Sequence, residues 1–307
     1  MRKIHSKKND NSKEPKKIIF RTKRTYKKEN ELDIYNNNSL VFPNDFISIK
    51  IIDIKNEVFQ QIEDFYYYTN YIKGSGGTMK VYYGIQKDNK FEAAIKIDKE
   101  KKRRSSTINE AIILTRLKGI EQIPFFHDYY LYNNNIIVEN LVGPALRKIL
   151  EFEFDLVKVS FLGIQMINIL KLIHERFIIH NDIKPNNICL GIFEKGKFDK
   201  LDKFFLIDFG YSKEFMINKN IYPDKSKNVK MIKTHYENKI ENTFQGTAEF
   251  MAISISEGYR ASRRTDLEEL IYTLIFLLKK TFPWSNIRGK IMPKHAKKCA
   301  KLKKVLQ

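Results

Sequence analysis

The segment His180-Asn181-Asp182-Ile183-Lys184-Pro185-Asn186-Asn187 constrains this chain more than any other. It follows Asp155–Glu175, whose apolar spacing predicts a long helix, and precedes Ile188–Leu190, a short apolar strand. A polar cluster placed there is either a turn after a helix or a reactive centre held on regular elements. Asp182 can accept the proton of an attacking hydroxyl. Lys184 can neutralise charge on a transferred phosphoryl group, and the Asn187 amide oxygen can ligate a divalent cation. His180 reads as structural, because the neighbouring aspartate already fits the acid/base task.

Three further motifs bear on the same chemistry. Lys73-Gly74-Ser75-Gly76-Gly77-Thr78-Met79-Lys80-Val81 sets glycines between two predicted strands, Tyr66–Tyr71 and Val81–Gln86. Glycines there let the backbone approach a phosphate closely, though an ordinary hairpin turn has the same form. Ala93-Ala94-Ile95-Lys96 ends a predicted strand, Phe91–Ile97, with a lysine 20 residues after Gly76. Lys96 is either a solvated surface lysine or a cation beneath the glycine turn. In the second case it needs a carboxylate, and Glu110 follows 14 residues later on a helix predicted over Ser105–Leu117. Leu206-Ile207-Asp208-Phe209-Gly210 ends an apolar strand, Phe204–Ile207, with an aspartate suited to a metal ion or to a simple turn.

In this order and at these separations, the four motifs resemble the protein-kinase signature set. Three later stretches narrow the resemblance. They are Gly246-Thr247-Ala248-Glu249-Phe250, Ser262-Arg263-Arg264-Thr265-Asp266-Leu267-Glu268 and Phe282-Pro283-Trp284. Together with Leu141-Val142-Gly143-Pro144-Ala145-Leu146 they are similar to the casein kinase I superfamily, and the Gly246–Phe250 form and the Gly76-Gly77 pair are closer to its vaccinia-related kinase branch. The resemblance covers about residues 66–285 and implies an α+β, two-lobed protein-kinase fold. A β-rich N-lobe with one main helix spans 66–139, and a helical C-lobe spans 143–307. Only 23 residues follow Trp284, so the C-lobe is expected to lack several helices of the family.

The same resemblance implies a serine/threonine kinase that uses ATP and Mg²⁺ (or Mn²⁺), with protein substrates. The alternative is a pseudokinase or scaffold with the same fold. Lys73, Gly74, Ser75, Gly76, Gly77, Val81, Lys96 and Glu110 would bind ATP. Asn187 and Asp208 would hold the metal ion, while Asp182 and Lys184 would be catalytic. Asp266 corresponds to a buried aspartate that braces the catalytic loop. Departures from the family pattern are Thr78 and Met79 in the glycine turn, Asn181 for an arginine and Glu249 for an arginine. Gap-free placement from Gly143 puts Glu139 at the gatekeeper position, an unusual residue there.

Charge bounds the remaining options. The chain has 307 residues and a formal net charge of +20. Residues 1–30 contribute +9 and residues 285–307 contribute +8, so the body between them is nearly balanced. Residues 1–45 read as a disordered basic tail, 46–65 as a lead-in holding a candidate strand at Phe46–Ile54, and 66–307 as one domain. The tails suit non-specific nucleic-acid contact. Lys213, Lys219, Lys225, Lys227, Lys230, Lys233 and Lys239 give the segment before Gly246 a basic character suited to acidic substrates, or to a solvated loop. Two cysteines exclude a disulfide scaffold; Cys189 reads as buried, and Cys299 as exposed in the basic tail. No leader-like segment opens the chain. Arg264–Leu278 reads as a largely apolar helix buried on most sides, and its run Leu270–Leu278, the longest apolar-looking stretch, has nine residues with Tyr272 and Thr273 among them, against roughly 20 for a membrane span. The expectation is an intracellular monomer, nuclear or cytoplasmic.

Overall fold

The computed structural model describes residues 59–305 apart from 63–65, 76–78, 88–90, 100–105, 132–133, 192–202, 222–229, 237–238 and 288–291. The expected basic tail and the candidate strand Phe46–Ile54 lie outside the described residues.

Strands dominate the first part of the chain. β1 (Phe59–Ile62), β2 (Tyr66–Ser75), β3 (Met79–Gln86), β4 (Glu92–Asp98), β5 (Phe126–Leu131) and β6 (Asn135–Asn140) form one antiparallel sheet, ordered β1-β2-β3-β4-β6-β5. β1 falls in the stretch that sequence left unassigned. Phe-Gln-Gln-Ile has no period-2 pattern, and pairing with Tyr66–Thr69 recruits it. One helix, α1 (Ser106–Arg116), is inserted between β4 and β5.

Alternation along β4 separates two environments. Ala93 and Ile95 join Ile136 and Val138 of β6 in an apolar cluster. Lys96 and Asp98 are on the other face, and both are buried along with Asn135 and Glu139 of β6. Buried polar groups require partners, and α1 supplies some of them. Asp98 accepts from Thr107 Oγ1 of α1 and from Asn135 Nδ2 at 2.6 Å. Tyr129 Oη donates to Asn135 Oδ1 at 2.6 Å, which ties β5 into the same network.

Helices dominate the second part. After a 3-10 turn at Leu146–Ile149 comes α2 (Leu156–Glu175), capped by Asp155, which accepts from the Lys158 N–H at 2.8 Å. By length and hydropathy α2 could cross a membrane, which a count of uninterrupted apolar residues did not register. Here its inward stripe, Val159, Leu162, Met166, Ile169, Leu170 and Ile173, is the centre of the largest core cluster. β7 (Ile178–Ile179) pairs with β10 (Lys213–Glu214), and β8 (Ile188–Leu190) with β9 (Phe204–Leu206). A hairpin of β11 (Met216–Ile221) and β12 (Lys230–His235) occupies the segment read as a basic loop. Then follow α3 (Ile253–Ser256), α4 (Arg263–Lys279) and α5 (Met292–Val305).

Two expectations are corrected. The largely apolar α4 was expected to be buried on most sides, yet Leu267, Ile271, Ile275 and Leu278 form an exposed stripe. Its buried side carries Asp266, Glu269 and Thr273, which bind the backbone of the 180–183 loop, and Thr265, which bonds Ser262 at the helix start, beside Leu270, Tyr272, Phe276 and Leu277. Residues 285–307 are not simply a basic tail, and Cys299 is not exposed. Ala296, Cys299, Ala300 and Lys303 recur at helical spacing and form the buried face of α5, which packs against α3. The surrounding lysines obscured that stripe in the sequence.

Lys303 is fully enclosed. Its ammonium donates to the carbonyls of Met251 at 2.7 Å and Ala248 at 3.4 Å, and lies over the Tyr272 and Trp284 rings. Burial pulls its pKa from 10.5 down to about 8, against the pull of Cys299, Glu268, Glu269 and Glu249. Between those two values the unfolded chain holds a proton that the folded protein has shed, so stability rises with pH there. Relative to Lys303→Met, the wild type should gain up to about 3 kcal/mol between pH 8 and 10.5, measured by denaturant unfolding.

Candidate active site

The polar segment after α2 forms the connection between β7 and β8, and α4 holds it from below. Asp266 is fully buried. Its Oδ2 accepts from the His180 N–H at 2.9 Å and from His174 Nε2 at 2.8 Å, and its Oδ1 from the Asn181 N–H at 2.8 Å. One turn along, Glu269 Oε2 accepts from the Ile183 N–H at 2.9 Å. Thr273 Oγ1 donates to the Ile183 carbonyl at 3.2 Å. Three backbone donors are thereby satisfied by two helix carboxyls. Burial, reinforced by Asp266, pushes the Glu269 carboxyl well above the usual carboxylate range.

Asn181 has a left-handed backbone, with φ of 66°, a conformation asparagine tolerates better than most residues. Its Nδ2 donates to the Tyr211 carbonyl at 3.2 Å, where the resembled family carries an arginine. His180 is structural, as expected. A ring nitrogen lies 3.1 Å from the Ile207 carbonyl, and the ring packs edge-on against Phe209.

On this frame stand the reactive groups. Lys184 Nζ donates to Asp182 Oδ2 at 2.6 Å and to Thr247 Oγ1 at 2.8 Å. Thr247 Oγ1 donates in turn to Asp182 Oδ1 at 2.9 Å. Asn187 Nδ2 donates to the Asp182 carbonyl at 2.8 Å and to its Oδ2 at 3.1 Å. That commits the amide nitrogen and leaves the oxygen as the atom for a cation.

Asp208, also left-handed at φ 67°, follows β9, with the Gly210 N–H 3.4 Å from its Oδ1. Two hard oxygen donors flanking the paired strands β8 and β9 fit a divalent ion that completes its shell with water and phosphate. Among the described residues, no group of three or more His, Cys, Asp or Glu is placed to hold a metal ion.

Lys96 faces the site from β4. Its Nζ is 2.7 Å from Oε1 of Glu110, the expected partner, and 2.7 Å from Oε1 of Glu139. Burial pulls the ammonium's pKa down, but Glu110, Glu139 and Asp208 together outweigh it and leave the pKa above the ordinary value. Glu110 is raised to about 7 by burial, with Lys96 opposing. The same Oε1 of Glu110 accepts from the Phe209 N–H at 3.2 Å. Asn109 Nδ2 adds bonds to the carbonyls of Ser212 at 2.9 Å and Gly210 at 3.1 Å. Helix α1 therefore joins the lysine to the segment bearing Asp208.

Lys73, Gly74 and Ser75 end β2, with Gly74 paired to Val81 and Ser75 to Lys80 across an irregular register. Val81 is in turn the register partner of Lys96, which puts the turn's return strand beside the lysine. Gly76 and Gly77 lie outside the described residues. Met79, which stands for the family's third glycine, has its sulfur 3.0 Å from Thr107 Oγ1 of α1. Sequence reasoning assigned no role to Glu269, Asn109 or Thr247. Glu269 lies three residues beyond Asp266, on the same helix face, and that spacing was the available signal.

The family model for the protein kinase domain matches residues 67–306.

Removing the Asp266 carboxyl strands several buried donors at once. Asp266→Ala should destabilise the protein by about 3 kcal/mol or more, at roughly 1–3 kcal/mol per unsatisfied group, and speed amide exchange at His180 and Asn181. Glu269→Gln keeps an acceptor and removes little charge from a carboxyl already driven toward protonation. It should cost less than about 1 kcal/mol in the same unfolding measurement.

Proposed function

The chain belongs to the protein kinase family, and we propose that it transfers the γ-phosphoryl group of ATP to serine and threonine hydroxyls of protein substrates. One observation carries this reading. Both carboxylate oxygens of Asp182 are engaged, by Lys184 and Thr247, at the foot of the cleft. The resembled serine/threonine kinases carry a lysine two residues after the catalytic aspartate, and Lys184, held between Asp182 and Thr247, supports the same acceptor class here.

Each residue then has a part. Lys96, held by Glu110, would bind the α- and β-phosphates together with Lys73, Gly74, Ser75, Gly76, Gly77 and Val81. Asn187 and Asp208 hold Mg²⁺ or Mn²⁺, which neutralises phosphate charge when bound. Asp182 orients the hydroxyl and accepts its proton. Lys184, with two of its three donors on Asp182 and Thr247, would turn the third to the transferred group and stabilise its charge. The stretches Gly246–Phe250 and Ser262–Glu268 favour a casein kinase I or vaccinia-related kinase type. Glu249 turns inward to accept from Ser285 Oγ at 2.7 Å, so this position does not read a phosphorylated substrate. The lysines before Gly246 favour acidic substrates.

Asp182→Asn should lower phosphoryl transfer from radiolabelled ATP to casein by roughly 10²–10⁴-fold, the usual range for loss of a general base, while nucleotide binding is retained. Phosphoamino-acid analysis should return phosphoserine and phosphothreonine. Retained turnover in the variant overturns the role of Asp182, and phosphotyrosine as the main product overturns the acceptor class.

The basic residues 1–30 and the exposed lysines of α5 are proposed to give sequence-independent nucleic-acid contact. Retention of the full chain on DNA should fall steeply with salt, because each phosphate contact releases a counterion. Deleting residues 1–30 should flatten that dependence, and an unchanged slope rules out contact through that segment.

A further inference from the structure

Lys96 has one more carboxylate than its task requires. Glu110 reaches it from α1, and Glu139 reaches it from β6 at the same 2.7 Å. The three side chains are almost wholly enclosed, with 5% or less of each exposed. Strand register explains the contact. β4 pairs Ala94 with Glu139 and Lys96 with Ile137, so Glu139 is the diagonal neighbour of the lysine on the same face of the sheet. An ammonium has three donors, and here two are taken by carboxylates. Asp208 adds a third negative group to the field at Lys96. A polyphosphate anion entering this cleft therefore meets a lysine whose donors are already engaged by two carboxyl groups.

We propose that Glu139 competes with the nucleotide's phosphates for Lys96 and thereby limits nucleotide affinity. The proposal rests on the reading that Lys96 binds those phosphates. Glu139 differs from Glu110 in what it supports. Glu110 also binds the Phe209 backbone and so holds the Asp208 segment, whereas Glu139 is on a strand away from that segment. Loss of charge at 139 therefore frees the lysine without releasing the rest of the site. Glutamine at this position still offers Lys96 an acceptor oxygen, so the lysine keeps its place while a negative charge leaves the cleft.

The test is calorimetric titration of the full chain with ADP in the presence of Mg²⁺. Glu139→Gln should tighten binding at least about fivefold, the low end of coupling between linked sites. Glu139→Met, which also removes the charge, should tighten it too and serves if the glutamine variant does not fold. Tightening distinguishes competition from a structural role, since loss of a merely structural side chain weakens binding. Lys96→Met, alone and combined with Glu139→Gln, completes the set. In that background the substitution at 139 should have lost its benefit. Unchanged or weaker binding in both Glu139 variants overturns the proposal even if Lys96→Met weakens binding. Wild-type affinity in Lys96→Met overturns instead the underlying role of Lys96.

Discussion

The buried carboxyl of Asp266 is the interaction on which the rest of the site depends. A loop that must present Asp182, Lys184 and Asn187 cannot also use its own backbone in a helix or sheet, and a buried backbone donor without a partner is costly. Asp266 and Glu269 meet that need from one face of α4, with Thr273 adding a bond to the Ile183 carbonyl. The inner face of α4 therefore mixes Thr265, Asp266, Glu269 and Thr273 with Leu270, Tyr272, Phe276 and Leu277, while Leu267, Ile271, Ile275 and Leu278 stay outside. The helix supports the loop as well as the core.

A second constraint joins the sheet to the helical part. Glu110 accepts from Lys96 and from the Phe209 N–H through the same oxygen. The position of the lysine on β4, the seating of α1 and the conformation of the Asp208 segment are consequently one linked arrangement. The polar network of Thr107, Asp98, Asn135 and Tyr129 fixes α1 against the sheet at its other end. Glu139 enters this arrangement from β6 without contributing to the link, which is why its charge opposes an incoming anion while its removal leaves the link in place.

Much of the fold was legible. The strands around the glycine turn, the helices α1, α2 and α4 and the strands β8 and β9 were readable because each has a clear apolar period or a glycine-marked end. Elements whose pattern depends on a neighbour were not. β1 has no alternation of its own and forms through its partner strand. The β11–β12 hairpin lies in a lysine-rich segment that reads as solvated chain. α5 hides four inward residues among lysines, and its Lys303 is buried only because two carbonyls and two aromatic rings converge on it.

For the site, the amino-acid order by itself determined which side chains are available and in what sequence: Lys96, Glu110, Asp182, Lys184, Asn187 and Asp208 are all found where their motifs put them. Spacing carries that information because each residue is fixed to a strand end or a helix face whose period is local. Only the tertiary structure decided which groups share a partner. Nothing local relates Thr247 to Asp182, 65 residues earlier, or Glu269 to Ile183, 86 residues earlier. Nor does local sequence show that Glu139 and Glu110 converge on one ammonium. That follows from strand pairing between β4 and β6 and from the seating of α1, which are long-range packing outcomes.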